Sequence, residues 1–532
     1  MHSSQAERFE QHVQQQMTKW IGAMPVLMPI LRELRVAETV DEHCPGKDDI
    51  NHGTVVTILG LNRLLAPKPL YKVGEWLSET VLEDTLGVDA EQMHDSRLGR
   101  TLDDLHPKLE RMWQAIVAQA IVTYGIDWRR IHYDITSIYF EGEYADSETI
   151  DYGYSRDHRP DAKQVNLAVN VTGGEGIPLA YRVLAGRTAD RTTPQENMGA
   201  LRQLLEQRAL AEQQQDFLLV SDRAMLDKKV LVAYDQQDVQ WLGPLAADGH
   251  LGDILDAVSN EELEEAPLDY RPSSQPADES PRYYGVLRQT TIRHDDQEMP
   301  VQVLVVKSRT KVTLDQQRRE TYLNRLTDRL NKIESMLNTR RYKRKAYAQQ
   351  QIAKAEQGNP ARRFIDVELT GNDGDLTLLY HIDEEKLAAA AALDGRYLLG
   401  TNVQGMTADQ MLQHFKGQEV VERQIRTVKG PIQIRPLFLH KEERIEGLVF
   451  VAMLALLVYT ILEMLCRRAG EHITARQVLE KFELLGAIYT QFADASWLKL
   501  PSALNDTQQH FLDLLRFPPP TTYLRAAEAL SE

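Results

Sequence analysis

The sequence has few cysteines and no very long apolar run. Only two cysteines, Cys44 and Cys466, occur among 532 residues. Their spacing matches no cysteine metal site, and a chain of this length does not depend on a single disulfide. We therefore expect a reducing, cytoplasmic setting. The polar first residues, MHSSQAERFEQHVQQQ, predict no secretory leader.

The longest apolar run, GLVFVAMLALLVYTIL, extends only from Gly447 to Leu462. A membrane-spanning helix needs about 20 apolar residues, so this run favours a buried core helix. The hydrophobic content of 42% and the charged content of 26% are typical of a soluble globular protein. The length suggests about three domains.

Positive charge is scarce overall but concentrated in one segment. The net charge is −17, yet residues 307–363 contain 16 Lys or Arg against 5 Asp or Glu, so this segment alone carries +11 and the remainder −28. Such unevenness indicates a surface that binds phosphates. A solvated, charged helix explains the same pattern equally well.

Residues 1–125 have a helical apolar rhythm, in INHGTVVTILGLNRLL and again in LYKVGEWL after the turn APKP. The two segments are compatible with a helix-turn-helix that uses Arg63, Lys68 and Lys72, or with plain helical packing. From residue 126 the pattern predicts three antiparallel strands, a helix, a fourth strand in FLLVSD, a helix and a fifth strand. The helix is long enough to make the fourth strand parallel to the first, which brings Asp134 and Asp222 together.

A β-rich insertion with one long basic helix, at about residues 313–357, then interrupts this pattern. The segment TADQMLQHFKGQEVVERQIRTVKG after it predicts a regular helix. On that helix Phe415, Gln418, Glu422 and Lys429 form one stripe. Val421, Ile425 and Val428 form a neighbouring apolar stripe. The predicted domains are an N-terminal helical domain (1–125), a core in two parts (126–245 and 399–498), the insertion (246–398) and a C-terminal helical tail (499–532).

Two aspartates on adjacent strands and a glutamate from a packed helix make a cluster of three carboxylates. Such a cluster needs a cation, because like charges a few Å apart repel. Mg²⁺ is the natural partner, since it prefers oxygen ligands and keeps positions open for water and phosphate. Two such ions, about 4 Å apart, promote phosphoryl transfer. Asp134, Asp222 and Glu422 are therefore the candidate catalytic and metal-binding residues.

In this order the motifs resemble those of the DDE transposases of bacterial insertion sequences. The motifs are HYDITSIYFEG, LVSDRAM, GYSRDHRPDAKQVNLAVNV, GRTADRTT, DGRYLLGTN and IRPLFLHKEERIEGLVFVAMLALLVYTILE. The resemblance covers roughly residues 40–470. It is narrower with the subgroup that has a β-rich insertion and a third motif of Tyr, Arg, Glu and Lys. Here Glu422 and Lys429 match that motif, whereas Phe415 replaces Tyr and Gln418 replaces Arg.

The resemblance implies an α/β fold with an RNase H-like mixed sheet and flanking helices, and a DNA strand-transfer enzyme of the bacterial cytoplasm, associated with the nucleoid. It also implies two Mg²⁺ ions, with Mn²⁺ as a substitute, and a homodimer on paired DNA ends. The partner that the resemblance implies is double-stranded DNA, both at the terminal inverted repeats and at the target. No membrane association is expected. The expected DNA-binding residues are Phe415, Gln418, Lys429, Arg223 and Arg426, with Arg423 and Lys416 as further candidates for the cation that Gln418 lacks.

Two alternatives remain open. Another nuclease of the same fold, such as a resolvase, has the same carboxylates without inverted repeats. A non-catalytic or domesticated derivative binds DNA without cutting it. A phosphatase is disfavoured, because DITS lacks a second Asp two residues after the first.

Overall fold

The computed structural model describes residues 13–46, 49–141, 144, 147–189, 192–205, 216–271, 282–294, 297–434, 439, 441–493 and 495–524. The chain divides into two compact units, Met1–Met225 with Gly417–Glu532, and Leu226–Lys416. The five-part domain division expected from the sequence stays a prediction. Residues 190–191 of the motif GRTADRTT, and residues 435–438 and 440 of the motif that begins IRPLFLH, lie outside the described residues. So do residues 206–210 of the helix predicted before the fourth strand and residues 525–532 of the predicted C-terminal tail.

The first unit begins with a strand and continues with helices. Strand β1 (Val13–Trp20) pairs antiparallel with β12 (Gly486–Phe492). The prediction of an entirely helical N-terminal segment is therefore wrong for β1, because its sequence VQQQMTKW lacks apolar alternation and its backbone partner lies near the C-terminus. The helices are α1 (Met24–Glu33), α2 (Val36–His43), α3 (His52–Leu65), α4 (Val73–Ser78), α5 (Leu82–Leu86), α6 (Asp95–Leu105) and α7 (Leu109–Tyr124).

Helix α3 is a core helix. Its buried residues include Val55, Ile58 and even Arg63, and it packs against other helices of the layer. Burial lowers the pKa of Arg63 to about 10. Helix α4 has only six residues. This arrangement agrees with helical packing, since a helix that reads DNA needs an exposed face.

The central sheet of the first unit follows the predicted strand order. Strands β2 (Arg130–Tyr139), β3 (Gln164–Thr172) and β4 (Pro178–Ala185) form an antiparallel meander. Helix α8 (Pro194–Leu205) then leads back to β5 (Leu218–Ser221), which pairs parallel with β2. The predicted α/β class, a mixed sheet with flanking helices, is confirmed.

The C-terminal part of the first unit contains α16 (Glu419–Lys429), α17 (Glu442–Arg468), α18 (Ala475–Phe482), strand β13 (Trp497–Pro501) and α19 (Asp506–Leu515). Helix α17 is long and apolar enough to cross a membrane by length and composition alone, but 89% of its most apolar window is buried inside the protein. It packs against α1, α3, α6, β4, α16 and α18. The prediction of a buried core helix is confirmed.

The second unit contains four antiparallel strands, in the order β6, β11, β8, β7, and a two-stranded hairpin of β9 and β10. The strands are β6 (Gln240–Leu245), β7 (Tyr283–His294), β8 (Gln297–Ser308), β9 (Ile365–Asn372), β10 (Asp375–Ile382) and β11 (Arg396–Thr401). The helices are α9 (Lys228–Asp235), α10 (His250–Ala257), α11 (Asn260–Glu264), α12 (Arg309–Met336), α13 (Lys345–Glu356), α14 (Glu384–Ala392) and α15 (Ala408–Lys416). The strands expected in the β-rich insertion are present.

The long basic helix is two helices. Helix α12 ends at Met336 and α13 begins at Lys345, with a 3-10 turn at Arg340–Lys343 between them. Asn338 and Arg340 have φ values of 61° and 43°, which no α-helix accommodates. We call residues 309–356 the basic arm. The prediction of one continuous helix is wrong because these two residues reverse the chain.

The helix expected across residues 408–429 is also two helices. Helix α15 ends at Lys416, and α16 begins at Glu419 after a turn at Gly417 and Gln418. Glycine weakens a helix by about 1 kcal/mol relative to alanine, and here it marks the break. Phe415 therefore does not share a helical stripe with Glu422, and the four-residue stripe expected from a regular helix is wrong at Phe415.

Candidate active site

Two aspartates occupy matching positions on adjacent parallel strands, Asp134 inside β2 and Asp222 directly after the last residue of β5. The last paired residues of β2 and β5 are Tyr133 and Ser221. Asp134 and Asp222 follow immediately on their respective strands, one residue beyond this pair. Side chains at equivalent positions of neighbouring parallel strands lie on the same face of a sheet. The structure therefore brings Asp134 and Asp222 together at one sheet edge.

Local hydrogen bonds fix both carboxylates. The backbone N–H of Ile135 donates to Asp134 Oδ1 at 2.7 Å, and the backbone N–H of Arg223 donates to Asp222 Oδ1 at 2.7 Å. Strand β5 is fully buried, whereas Asp222 is exposed at its end, where a 3-10 turn begins at Arg223. The buried strand β5 is thus followed directly by a solvent-exposed carboxylate, that of Asp222.

Glu422 comes from helix α16, which packs on β2 and β3. The predicted apolar stripe anchors this helix: Val421 and Val428 are buried, and Ile425 is half-buried. Glu422 is exposed and borders an open cleft of about 520 Å³, which we call the carboxylate cleft. Its lining residues are Asp134, Ile135, Thr136, Arg156, Asp157, Glu422, Ile425, Arg426, Lys429 and Gly430.

The electrostatics of Asp134 record the proximity of the other two acids. Burial is the main cause that raises its pKa to about 6; the negative charges of Asp222 and Glu422 act in the same direction, whereas the Ile135 N–H and Arg156 lower the pKa. Asp222 and Glu422 therefore lie close enough to act on Asp134, the least exposed of the three predicted carboxylates.

Lys429 is held by an acid that no sequence pattern singled out. Its Nζ lies 2.8 Å from Asp157 Oδ1, and the exposed fractions of the two side chains are only 10% and 8%. Asp157 lies in the loop between β2 and β3, and Lys429 ends α16. Periodicity gave no hint of this contact, although the dense charges of SRDHRP were the one available signal.

The other predicted DNA contacts are spread over different environments. Arg426 is exposed and lines the carboxylate cleft, and Arg223 is exposed beside Asp222. Gln418 is half-buried immediately before α16. Phe415 lies in the second unit, where its ring centroid is 6.5 Å from that of Tyr397. The roles assigned to these residues and to the three carboxylates stay predictions.

The carboxylates are not already spaced as metal ligands. Within the described ranges, no group of three or more His, Cys, Asp or Glu side chains is close enough to hold an ion. The donor chemistry nevertheless suits a hard divalent cation, because all three candidates are carboxylates and Asp134 is destabilised by negative neighbours.

Comparison with known proteins gives limited likeness. A family model described as a domain of unknown function (DUF4277) matches residues 16–118. No curated protein matches the chain. The chain is similar to the piggyBac transposase in a cryo-EM synaptic complex with hairpin DNA, at 7% identity over 88% of this chain and 82% of that chain, with a TM-score of 0.40.

Two structures of Mos1 are also similar. The pre-cleavage transpososome matches at 14% identity over 40% of this chain and 63% of that chain, with a TM-score of 0.16. The Mos1 mariner paired-end complex with Mn matches at 15% identity over 40% and 65%, with a TM-score of 0.17. The similar structures are thus transposase complexes, but scores this low carry no structural argument. The assignment depends on the strand order and side chains of this chain.

Proposed function

We propose that this protein is a DDE transposase of a bacterial insertion sequence, a metal-dependent polynucleotidyl transferase that cuts DNA at the ends of its element and joins them to target DNA. One observation carries the proposal: Asp134 and Asp222 follow the last paired residues of two adjacent parallel strands in register, and Glu422 approaches Asp134 from α16. Three carboxylates that converge from separate elements serve phosphoryl transfer better than they serve stability, because their mutual repulsion destabilises the fold.

Asp134, Asp222 and Glu422 would hold the ions, with Mg²⁺ the expected metal and Mn²⁺ a substitute. When bound, the metal supplies activation of the attacking water or hydroxyl and stabilisation of the leaving oxygen. The protein would position the three carboxylates: strands β2 and β5 carry the two aspartates, and α16, which packs on β2 and β3, carries Glu422. Arg426, at the cleft, and Arg223, beside Asp222, are placed to bind backbone phosphates.

Gln418 occupies the position of the arginine of the third motif but does not supply the positive charge of that arginine. An amide donates hydrogen bonds without the charge and planar fork of a guanidinium. Arg426 lies one helical turn beyond Glu422 and compensates for the missing charge at the cleft. Further parts of the proposal are that the protein binds terminal repeats through its N-terminal helical layer, contacts DNA backbone through the basic arm, and works as a homodimer on paired ends.

The test uses labelled duplexes that span the two borders of the genomic segment carrying the gene. With Mg²⁺ or Mn²⁺ the protein should nick these duplexes at discrete positions and join the ends to a second DNA. Asp134→Ala should abolish cleavage and spare binding. Glu422→Gln should lower the cleavage rate by at least about 100-fold. The matched control is Glu419→Gln, an exposed glutamate in the first turn of the same helix.

A metal-binding measurement separates catalysis from folding. Titration with Mn²⁺, followed by electron paramagnetic resonance, should show binding to the native protein and to Glu419→Gln but not to Asp134→Ala. Native protein that binds neither Mn²⁺ nor border DNA would eliminate the transposase proposal.

A second candidate is a DNA-binding derivative without catalysis. It is favoured by the Asp157–Lys429 ion pair, which neutralises the lysine of the third motif. It is also favoured by the lack of a preformed three-ligand group among the described residues. Binding to border duplexes with no cleavage under either metal would establish this candidate in place of the enzyme.

A further inference from the structure

The loop between β2 and β3 is fixed beside the carboxylate cleft. We call residues 151–163, DYGYSRDHRPDAK, the cleft loop. Its first residue, Asp151, forms a bridge with Gln164. The backbone carbonyl of Tyr154 accepts hydrogen bonds from Ser137 Oγ at 3.3 Å and Gln164 Nε2 at 3.1 Å. The backbone of Tyr154 is thus attached to both strands, so its ring projects from a defined point.

A second attachment joins the cleft loop to the helix that carries Glu422. The buried Asp157–Lys429 pair, at 2.8 Å, connects the middle of the loop to the last residue of α16. A hydrogen-bonded ion pair with both side chains about nine-tenths buried breaks at a high cost. The loop and α16 therefore hold a fixed relation across the cleft.

The cleft loop presents aromatic rings to solvent next to cations. The side chain of Tyr154 is 83% exposed and that of Tyr152 is 56% exposed. The guanidinium of Arg156 lies 5.9 Å from the centroid of the Tyr154 ring, and Arg156 itself lines the cleft. The Tyr154 ring therefore lies next to a residue that lines the cleft. Exposed rings interleaved with arginines form the surface on which unpaired nucleobases stack.

We infer that the cleft loop binds a nucleobase that is unpaired from the duplex beside the scissile phosphate, with the base stacked on Tyr154 and Arg156 close to the adjoining phosphate. This inference rests on the proposed function, because it assigns the occupant of the same cleft. Its energetic basis is that stacking on an aromatic ring is independent of base identity and needs no metal.

The experiment measures DNA binding without metal, in EDTA. One probe is a duplex with a short unpaired 3′ overhang that contains 2-aminopurine, and the other is the same duplex with a blunt end. Tyr154→Ala should weaken binding of the overhang duplex by about tenfold and leave the blunt duplex unchanged. It should also abolish the quenching of 2-aminopurine fluorescence, whereas Tyr154→Phe should retain both properties.

Two further variants locate the effect. Trp497→Ala removes another exposed aromatic ring of the same unit, 41% exposed and outside the N-terminal helical layer, and should behave as the native protein does. Asp157→Asn breaks the attachment to Lys429 and should reduce the quenching while the Tyr154 ring remains. Equal binding of both probes by Tyr154→Ala and native protein, with cleavage of border DNA intact, would overturn the inference alone. Failure to bind either probe would overturn it together with the proposed function.

Discussion

The carboxylate cleft and the basic arm use charge in opposite ways. The cleft contains few charges, but they are partly buried and act on one another, as in Asp134 and the Asp157–Lys429 pair. The arm contains many cations on exposed positions, including Arg325, Arg329 and Lys332. Its other face packs a small apolar core around Leu326, Leu330, Ile333, Ile352 and Phe364.

This difference separates two contributions to the proposed activity. Charges removed from water interact strongly and fix geometry, which is what a chemical step needs. Solvated cations contribute affinity that is independent of sequence and falls with salt. The cleft should therefore determine rate, and the arm should determine how tightly DNA is held.

The largest expected effect is loss of cleavage on substitution of one of the three candidate carboxylates. Asp222→Asn should lower the cleavage rate by about 100- to 1000-fold, because it removes a charge from the proposed metal-binding set. The control is Asp216→Asn, an exposed aspartate before β5, at the opposite end of the strand. Rates are measured on border duplexes at saturating protein. An equal loss in both variants would mean that β5 is sensitive to any change and that Asp222 has no special role.

The second effect concerns stability and follows from the raised pKa of Asp134. The folded protein holds this proton more tightly than the unfolded chain, so the ionised carboxylate destabilises the fold fully above pH 6. Without metal at pH 7.5, Asp134→Asn should raise the free energy of unfolding by about 1–3 kcal/mol. The gain should shrink as the pH falls from about 6 and vanish near pH 4, as followed by urea denaturation.

Addition of Mg²⁺ or Mn²⁺ sharpens the same measurement. The metal should stabilise the native protein at pH 7.5 and leave Asp134→Asn unaffected, because binding to the folded state adds to its stability. A native protein whose stability is independent of both pH and metal in this range would contradict the proposed electrostatics of the cleft.

The smallest effect should come from the arm. Replacing Arg340, Arg341 and Lys343 in the turn between α12 and α13 by Gln should weaken DNA binding by about tenfold at moderate salt. The slope of log affinity against log salt should fall by about 0.9 for each phosphate that the variant no longer neutralises. Cleavage of bound DNA should not change. Slower cleavage at saturating protein would show that the arm also takes part in the chemical step.

Part of this arrangement was predictable because it depends on periodicity and chain direction. The crossover through α8 is long enough to let β5 lie parallel to β2, and that arrangement places Asp134 beside Asp222. Val421 and Val428 correctly predicted the buried face of α16. These patterns are local in the sequence, and the strand order determines which of the residues come into contact.

The rest depends on contacts that periodicity does not contain. Strand β1 forms because β12, near the C-terminus, supplies its backbone hydrogen-bond partners. The breaks at Gly417 and at Asn338 interrupt helices whose apolar rhythm continues across the break. The Asp157–Lys429 pair joins residues 272 positions apart, and no local pattern selects Asp157 among the charged residues around it.

Helix α17 has a practical consequence for dissecting this protein. Its apolar side chains are covered on one side by the N-terminal helices and on the other by β4 and α16, and Arg444 donates two hydrogen bonds to Asp103 on α6 at 2.9 Å each. A fragment that lacks the first hundred residues would expose a large apolar surface of α17, and we expect such a fragment to aggregate. The proposed recognition of DNA ends and the proposed strand cutting are therefore best separated by single substitutions in the intact chain.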